Sequence, residues 1–390
     1  MQQFEEQKRI FAVLMRGGTS RGLYVMRGAL PLDPIVRDRV ILRMYGSPDI
    51  RQIDGIGGAD SLTSKLAIIG PPTRQDADVD YTFAQVSITD ARVDYTGNCG
   101  NMSSGVGPFA IDQGLVDPVE PLTTVRIHQT NTRSIIVATV PVVHGKAAVY
   151  GEYHIDGVPG TGARIELDFS DAAGGVTGKL LPTGNVLDHL NVPGIGIMDV
   201  SIVDAGNPCV FVRARDLGIN GTETPAQIDG DPGLNDRIER VRGTVAMRLG
   251  FVTRWQDAAS ASPYVPFLVM VSPPADYMDF VTGQTIRAAQ VDVVARLLFM
   301  LKMHKTYPVT GTVCTGTAAK IKGTLVYDML RPEARTRATV LIGHPAGVID
   351  IDILVDDSGE QIKLVRASLA RTSRRIMEGY LYVPWRTFEE

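Results

Sequence analysis

The 390-residue sequence predicts an α+β protein built from two domains. Three observations carry that expectation. The chain is longer than one hydrophobic core usually supports, so two cores are the default. Alternating or β-branched runs outnumber stretches with helical spacing. A cysteine among small, glycine-rich residues ahead of a short apolar stretch occurs twice, at Cys99 and at Cys314, more than half the chain apart. One such unit per half is the pattern of an internal duplication.

Composition narrows the function classes. A hydrophobic fraction of 44%, a charged fraction of 21% and a net charge of −4 describe an ordinary globular protein. They leave no basic footprint for nucleic acid and no polybasic patch for a membrane surface. Cys99, Cys209 and Cys314 lack the spacing of a disulfide framework or a zinc site and suit a reducing compartment. The charged start (Glu5, Glu6, Lys8, Arg9) leads into an apolar piece, Ile10 to Met15, that is too short for a signal peptide. No run approaches the roughly 18 to 20 apolar residues of a membrane helix. A cytoplasmic location is the expectation.

Taken in order, Ile10 to Met15 and Leu23 to Met26 read as strands around the turn Arg16 to Gly22, and Pro34 to Tyr45 as a helix with Ile35, Val40, Ile41 and Met44 on one face. Ile53 to Asp60, with Gly55, Gly57 and Gly58, is a shaped loop. It runs through Ser61 to Lys65 into the buried strand Leu66 to Ile69. Val79 to Ile88, Thr124 to Gln129, Ser134 to Val140 and Ala147 to His154 read as strands, and Gly151 to Gly178 as loop at a domain edge. The second domain is expected over 191–371, the first over 1–190 with 372–390. In the second, Ile197 to Val203, Cys209 to Val212 and Phe267 to Val271 read as strands, and Asn235 to Leu249 and Val291 to His304 as helices. Thr310 to Ile321 places Cys314 in a turn before a short helix, Leu341 to Ile349 is a strand–turn–strand, and Arg371 to Val383 ends in a strand.

Several familiar chemistries fail on their residues. Gly174 to Leu180 lacks the first glycine and the final Ser or Thr of a phosphate loop. Gly194 to Met198 lacks the third glycine of a dinucleotide fingerprint. The histidines at 128, 144, 154, 189, 304 and 344 show no metal-ligand spacing, and no nucleophile elbow surrounds a serine. Of the histidines, only His344, in a turn beside Pro345, stands where a site is expected. What remains is a set needing no cofactor and no metal. Lys65 sits where a polar loop enters a buried strand, and burial lowers a lysine's pKa toward the working range of a base. Cys99 sits in Gly97-Asn98-Cys99-Gly100-Asn101, where glycines admit a ligand close to the backbone and a helix start turns N–H groups outward. A thiol and an amine near one bound carbon can remove a proton and return one elsewhere. The residues alone leave two readings open: proton-transfer isomerisation beside a carboxylate, or a binding module for small organic acids.

The motifs decide further. Met15-Arg16-Gly17-Gly18-Thr19-Ser20, Gly46-Ser47-Pro48-Asp49, Gln52-Ile53-Asp54-Gly55 through Thr63-Ser64-Lys65, Gly97-Asn98-Cys99-Gly100-Asn101, His344-Pro345-Ala346-Gly347 and Arg375-Ile376-Met377-Glu378-Gly379 run nearly end to end. Together they resemble the family of methylitaconate Δ-isomerase, the PrpF-like 2-methylaconitate isomerases and 4-oxalomesaconate isomerase or tautomerase. Asp76 to Asp90, Asn207-Pro208-Cys209, His304 to Tyr307 and Cys314-Thr315-Gly316 look nearest to the methylitaconate branch. One departure is Arg21, where family members usually carry lysine after the Thr-Ser pair.

The resemblance implies a diaminopimelate-epimerase-like fold of two pseudo-symmetric domains, each a curved β-sheet around a central helix. It implies an active site in the cleft between them and a C-terminal strand returning to the first domain. It implies a 1,3-allylic proton shift in a branched unsaturated di- or tricarboxylate, most like methylitaconate to dimethylmaleate, with the methylaconitate and oxalomesaconate reactions as alternatives. A non-catalytic carboxylate-binding accessory of an aconitase-like enzyme is the alternative class. Lys65 and Cys99 are the implied acid/base pair. Thr19, Ser20, Arg21, Ser64, Asn98, Gly100, Asn101, Met102, Cys314, Thr315, Gly316, Thr317 and His344 are the implied substrate contacts. Cys314 stands where the epimerases of this fold keep a second cysteine. The implied partner is the small-molecule polycarboxylate, with self-association compatible and neither cofactor, metal, nucleic acid nor membrane.

Overall fold

The computed structural model describes residues 6–389, and Glu5 of the charged start lies outside them. Contacts divide the chain into two compact units. One runs to His154 and takes in Gly160–Leu167 and Ala370–Glu390. The other is Ile155–Pro159 with Asp168–Leu369.

In the first unit, strands β1 (Gln7–Gly17) and β2 (Ser20–Met26) form a hairpin. The turn is made at Gly18, with φ +50°, and a Cβ there would fall 2.1 Å from Asn101 Oδ1. Only glycine lets the hairpin tip come that close. The C-terminal strand Ser373–Pro384 runs antiparallel along the whole of β1, from Gln7 opposite Pro384 to Gly17 opposite Ser373. Helix α1 (Pro34–Tyr45) carries the chain from β2 to the parallel strand β3 (Lys65–Gly70). Its limits are written in the sequence. The Asp33 carboxylate accepts from the N–H groups of Ile35 and Val36, Pro34 occupies the first turn, and Gly46 closes the helix at φ +70°. Val40, Ile41, Met44 and Tyr45 bury against Leu23, Val25, Leu66 and Ile68. Strand β4 (Val79–Val86) pairs antiparallel with β3 and parallel with β5 (Leu122–Gln129), which turns into β6 (Ser134–Val143).

Between β4 and β5 lie two short helices, α2 (Gly100–Ser103) and α3 (Val106–Asp112). α3 buries Val106, Phe109, Ala110 and Ile111. Gly107 lies against Val140 so closely that a Cβ would meet it at 2.7 Å. Full burial of Phe109 alone contributes about 1.5–3 kcal/mol. The strand expected over Ala147 to His154 reduces to the pair Lys146–Ala147, because its partner β6 ends at Val143.

The second unit repeats this order. Strands β7 (Gly196–Ala205) and β8 (Asn207–Arg213) form a hairpin, and helix α4 (Pro232–Arg248) leads on toward β9 (Phe267–Ser272), parallel to β8. Strand β10 (Val293–Phe299) is antiparallel to β9 and parallel to β11 (Thr339–His344), which turns back as β12 (Gly347–Asp356). Helix α5 (Val309–Lys320) stands between β10 and β11 as α2 and α3 stand between β4 and β5. Hairpin, parallel, antiparallel, parallel, antiparallel is the pairing sequence of both units. That is the pseudo-symmetry the recurring cysteine motif predicts.

Three further expectations need correction. Val291 to His304 is not a helix. Val293–Phe299 is a strand buried at every position, turned at Met300 and Leu301 (φ 50° and 61°). With Arg296 the one polar side chain among those seven, the strand has no polar–apolar period to separate it from a helix, and two flanking strands decide it. Cys314 is not in a turn before a helix but inside α5. The Thr312 and Thr317 hydroxyls donate to the Pro308 and Val313 carbonyls of the same helix, which satisfies them inside the buried segment. The stretch 168–190, expected in the first domain, groups with the second unit. It is glycine-rich and aperiodic, but Gly174 N donates to Asp204 O and Gly206 N to Ala172 O, tying it to β7.

Candidate active site

The polar loop before β3 folds around one buried side chain, Gln52, which adopts φ 47°. Its Nε2 donates to Ser47 Oγ (3.0 Å) and Ser64 Oγ (2.7 Å), and its Oε1 accepts from Ala59 N (2.9 Å). Gly57 gives it room, since a Cβ there would lie 2.2 Å from the Gln52 amide. This loop delivers Ser64 and then Lys65 into the sheet. Tyr45 secures the entry from α1. Its hydroxyl donates to the Lys65 carbonyl and accepts from Leu23 N at 3.2 Å.

Lys65 is 2% exposed. Its Nζ donates to Gln85 Oε1 at 2.9 Å and sits 5.3 Å from the centre of the Phe83 ring. The Cys99 side chain is near enough to the same nitrogen to act on it electrostatically. Burial pushes the ammonium below the usual lysine range, and Cys99 and Asp60 pull it partly back. The amine is thereby brought toward a base that can be neutral in water, which an exposed lysine is not.

Cys99 is the residue before α2, with extended backbone (φ −112°, ψ 96°), and its carbonyl accepts from Ser103 N and Ser103 Oγ. Asn98 Oδ1 accepts from Ser103 Oγ at 3.4 Å. Asn101 reaches the hairpin tip, where Oδ1 accepts from Thr19 N at 3.2 Å. Gly17 is also close, since a Cβ there would meet Asn101 O at 2.5 Å. The Met102 carbonyl accepts from Tyr24 OH at 2.6 Å. Ser20 Oγ is buried with no hydrogen-bond partner among the described residues. The Arg21 guanidinium lies over Gly58, which a Cβ would bring within 2.7 Å of Nη2. Lys65, Cys99, Thr19, Ser20, Arg21, Ser64, Asn98, Gly100, Asn101 and Met102 thus belong to one cluster in the first unit.

The second unit's expected contacts are engaged at home. Cys314 Sγ donates to Val203 O at 3.1 Å and sits beside Cys209. Thr315 Oγ1 pairs with Tyr307 OH at 2.9 Å, Thr317 caps the Val313 carbonyl, and Gly316 packs on Ile351 and Ile353. His344 is 2% exposed, its Nδ1 accepts from Ala346 N, and its ring stacks on Tyr307 at 6.4 Å. The phosphate-loop-like stretch is filled from within, as Val176 N and Thr177 N donate to Asp204 Oδ2. Among the described residues no three His, Cys, Asp or Glu side chains converge as metal ligands. Among the described residues no helix is long and apolar enough to cross a membrane.

Sequence reasoning missed Gln85, Gln52 as a loop anchor, Tyr45 and Asp60. The signal for Gln85 was available: Val79, Tyr81 and Phe83 line one face of a strand, and the next position on that face is an amide.

The chain shares its architecture with solved structures. A methylitaconate Δ-isomerase crystal structure matches at TM-score 0.80 and 53% identity, over 98% of both chains. A hydroxyproline epimerase from Agrobacterium vitis shares the fold alone, at TM-score 0.56 and 11% identity, over 97% of this chain and 92% of that one. By sequence, the chain is 55% identical to 3-methylitaconate isomerase of Eubacterium barkeri over 97% of this chain and 98% of that protein. It is 38% identical to 2-methyl-aconitate isomerase of Shewanella oneidensis, over 98% of each. Residues 7–384 match the family model described as PrpF protein, and with these relatives the chain belongs to the PrpF family.

Proposed function

We propose that this chain is an isomerase that needs no cofactor and moves a C=C bond in a branched unsaturated dicarboxylate, converting methylitaconate to dimethylmaleate. The observation that carries this reading is the buried Lys65 nitrogen, held by Gln85 and close enough to Cys99 to feel its charge. The higher identity to the methylitaconate isomerase than to the methylaconitate isomerase supports the choice of substrate.

In this reading Lys65, biased toward its neutral form by burial, takes the proton from the carbon that is both allylic and next to a carboxylate. The electron pair moves through the double bond, and charge gathers on the carboxylate side. Cys99 gives a proton to the far carbon, which becomes a methyl group. Ammonium and thiolate then face each other, and one proton passed from Lys65 to Cys99 restores the starting state. Donors around the hairpin tip and α2, namely Thr19, Ser20, Arg21, Asn98 and the backbone of Gly100, Asn101 and Met102, hold the carboxylates and the developing charge. Ser64 sets the loop. Cys314 to Thr317 and His344 shape the second unit.

The test is incubation with methylitaconate in deuterated water, followed by NMR. Dimethylmaleate carrying deuterium in a methyl group is expected. Neither isomerisation nor exchange with methylitaconate, methylaconitate and oxalomesaconate would overturn the reading and leave the binding-protein alternative. That alternative predicts only thermal stabilisation by ligand.

A further inference from the structure

Gln85 has no role in the chemistry above, yet it accepts a hydrogen bond from the amine. It is 1% exposed and stands directly opposite Lys65 in the β3–β4 ladder. Its amide orientation is set by its surroundings. Nε2 donates to Ser61 O at 3.2 Å and to Ser64 O at 3.0 Å, which leaves Oε1 to accept from Lys65 Nζ at 2.9 Å. Turned over, the amide would set its oxygen against two carbonyls and its NH2 against the ammonium. Both neighbours it binds lie in the loop that ends at Lys65, so one side chain ties that loop and the lysine head to a single rung of the sheet.

We propose that Gln85 is a positioning residue for Lys65, holding the amine against Cys99 by a neutral acceptor that adds no negative charge. This rests on the isomerase reading for its kinetic consequences only. The choice of amide over carboxylate is the point of the inference. A glutamate of the same length would give the lysine an ion-pair partner and hold it protonated, useless as a base near neutral pH. The other titratable groups facing the nitrogen are Cys99, ahead of α2, and Asp60, in the preceding loop. From β4 the remaining neighbour is the uncharged Phe83 ring, and Tyr45 reaches only the lysine's carbonyl.

The experiment compares the full-length chain with Gln85→Glu and Gln85→Met. Lys65 is followed by NMR of 13C-labelled lysine, its signal identified by loss in Lys65→Met, together with the pH profile of kcat/KM on methylitaconate. In Gln85→Glu the Lys65 titration and the rising kinetic limb both move up by about one pH unit or more, and activity recovers as pH is raised. In Gln85→Met kcat falls by about tenfold or more at every pH, with KM little changed. A purely structural role would lower both variants without moving the limb. Unmoved Lys65 titration in Gln85→Glu, or wild-type kcat in Gln85→Met, overturns the proposal. Should either variant not fold, the wild-type chain decides: the Gln85 side-chain amide signal must shift with the Lys65 midpoint, and an amide indifferent to that titration overturns it equally. If Lys65 responds as expected but no substrate turns over, the isomerase reading fails and the positioning role stands.

Discussion

Gly22→Ala is the substitution whose effect the structure specifies most closely. Gly22 lies opposite Lys65 in the parallel β2–β3 pair. A Cβ at residue 22 would lie 2.0 Å from the Lys65 carbonyl oxygen and 2.8 Å from its carbonyl carbon. Ordinary contact begins at 3.4 Å, so the strands must part by about 1.4 Å at that rung. The obstruction is backbone in the middle of a sheet, and no side chain can swing away to relieve it. Overpacking of this kind costs about 1–3 kcal/mol. The same displacement carries Lys65 off its line to Cys99, and a misplacement near 1 Å lowers turnover about a hundredfold. Urea unfolding and initial rates on methylitaconate measure the two effects. Gly28→Ala is the control, because nothing lies within 4 Å of its added Cβ, and it should change stability by no more than about 0.5 kcal/mol. A Gly22→Ala protein that loses stability but keeps wild-type kcat would refute the link between this rung and the chemistry. One that loses neither would refute the packing argument itself.

Further outcomes follow from the same geometry. Lys65→Met and Cys99→Ser each lower turnover by roughly a hundredfold or more while circular dichroism stays native, and full activity in either removes that residue from the mechanism. Because burial lowers the Lys65 pKa, kcat/KM rises with pH through a limb below the ordinary lysine value of about 10.4, and a limb at or above that value contradicts the base role. The stability consequence has a definite sign. Below the folded pKa, Lys65 is charged in both states and folding bears the whole desolvation cost. Between the folded and unfolded values the unfolded chain binds more protons, so stability rises with pH. The unfolding free energy of wild type therefore rises relative to that of Lys65→Met as pH rises through that window, and a constant difference contradicts it. Cys314→Ala leaves turnover within about threefold and costs about 1 kcal/mol of stability, because its thiol is bonded to Val203 within the second unit. A loss of turnover as large as that of Cys99→Ser would instead favour a two-cysteine epimerase mechanism.

Much of this protein was legible from residues alone, wherever the determinant is local. Helix α1 is bounded by Asp33-Pro34 and Gly46, and capping groups act within four residues of each other. The hairpin of β1 and β2 follows from two apolar runs around the glycine-rich turn at Gly17-Gly18, and the buried lysine from a polar loop running into an apolar strand. The family was legible through motifs spread over the whole chain. Tertiary structure decided what has no local sign. Val293–Phe299 is buried at every position and carries one polar side chain, Arg296, so the two strands flanking it, and not its own period, make it a strand. Cys314 and Cys99 sit in similar small-residue segments, but only the packing of α5 turns one thiol into its unit's core. The contact between Lys65 and Gln85 joins residues on separate strands, and it exists because the β3–β4 register sets them on one rung. Sequence specifies which side chains can do chemistry. Register and packing select the ones that meet, because a hydrogen bond is decided within a few tenths of an ångström and a spacing along the chain is not.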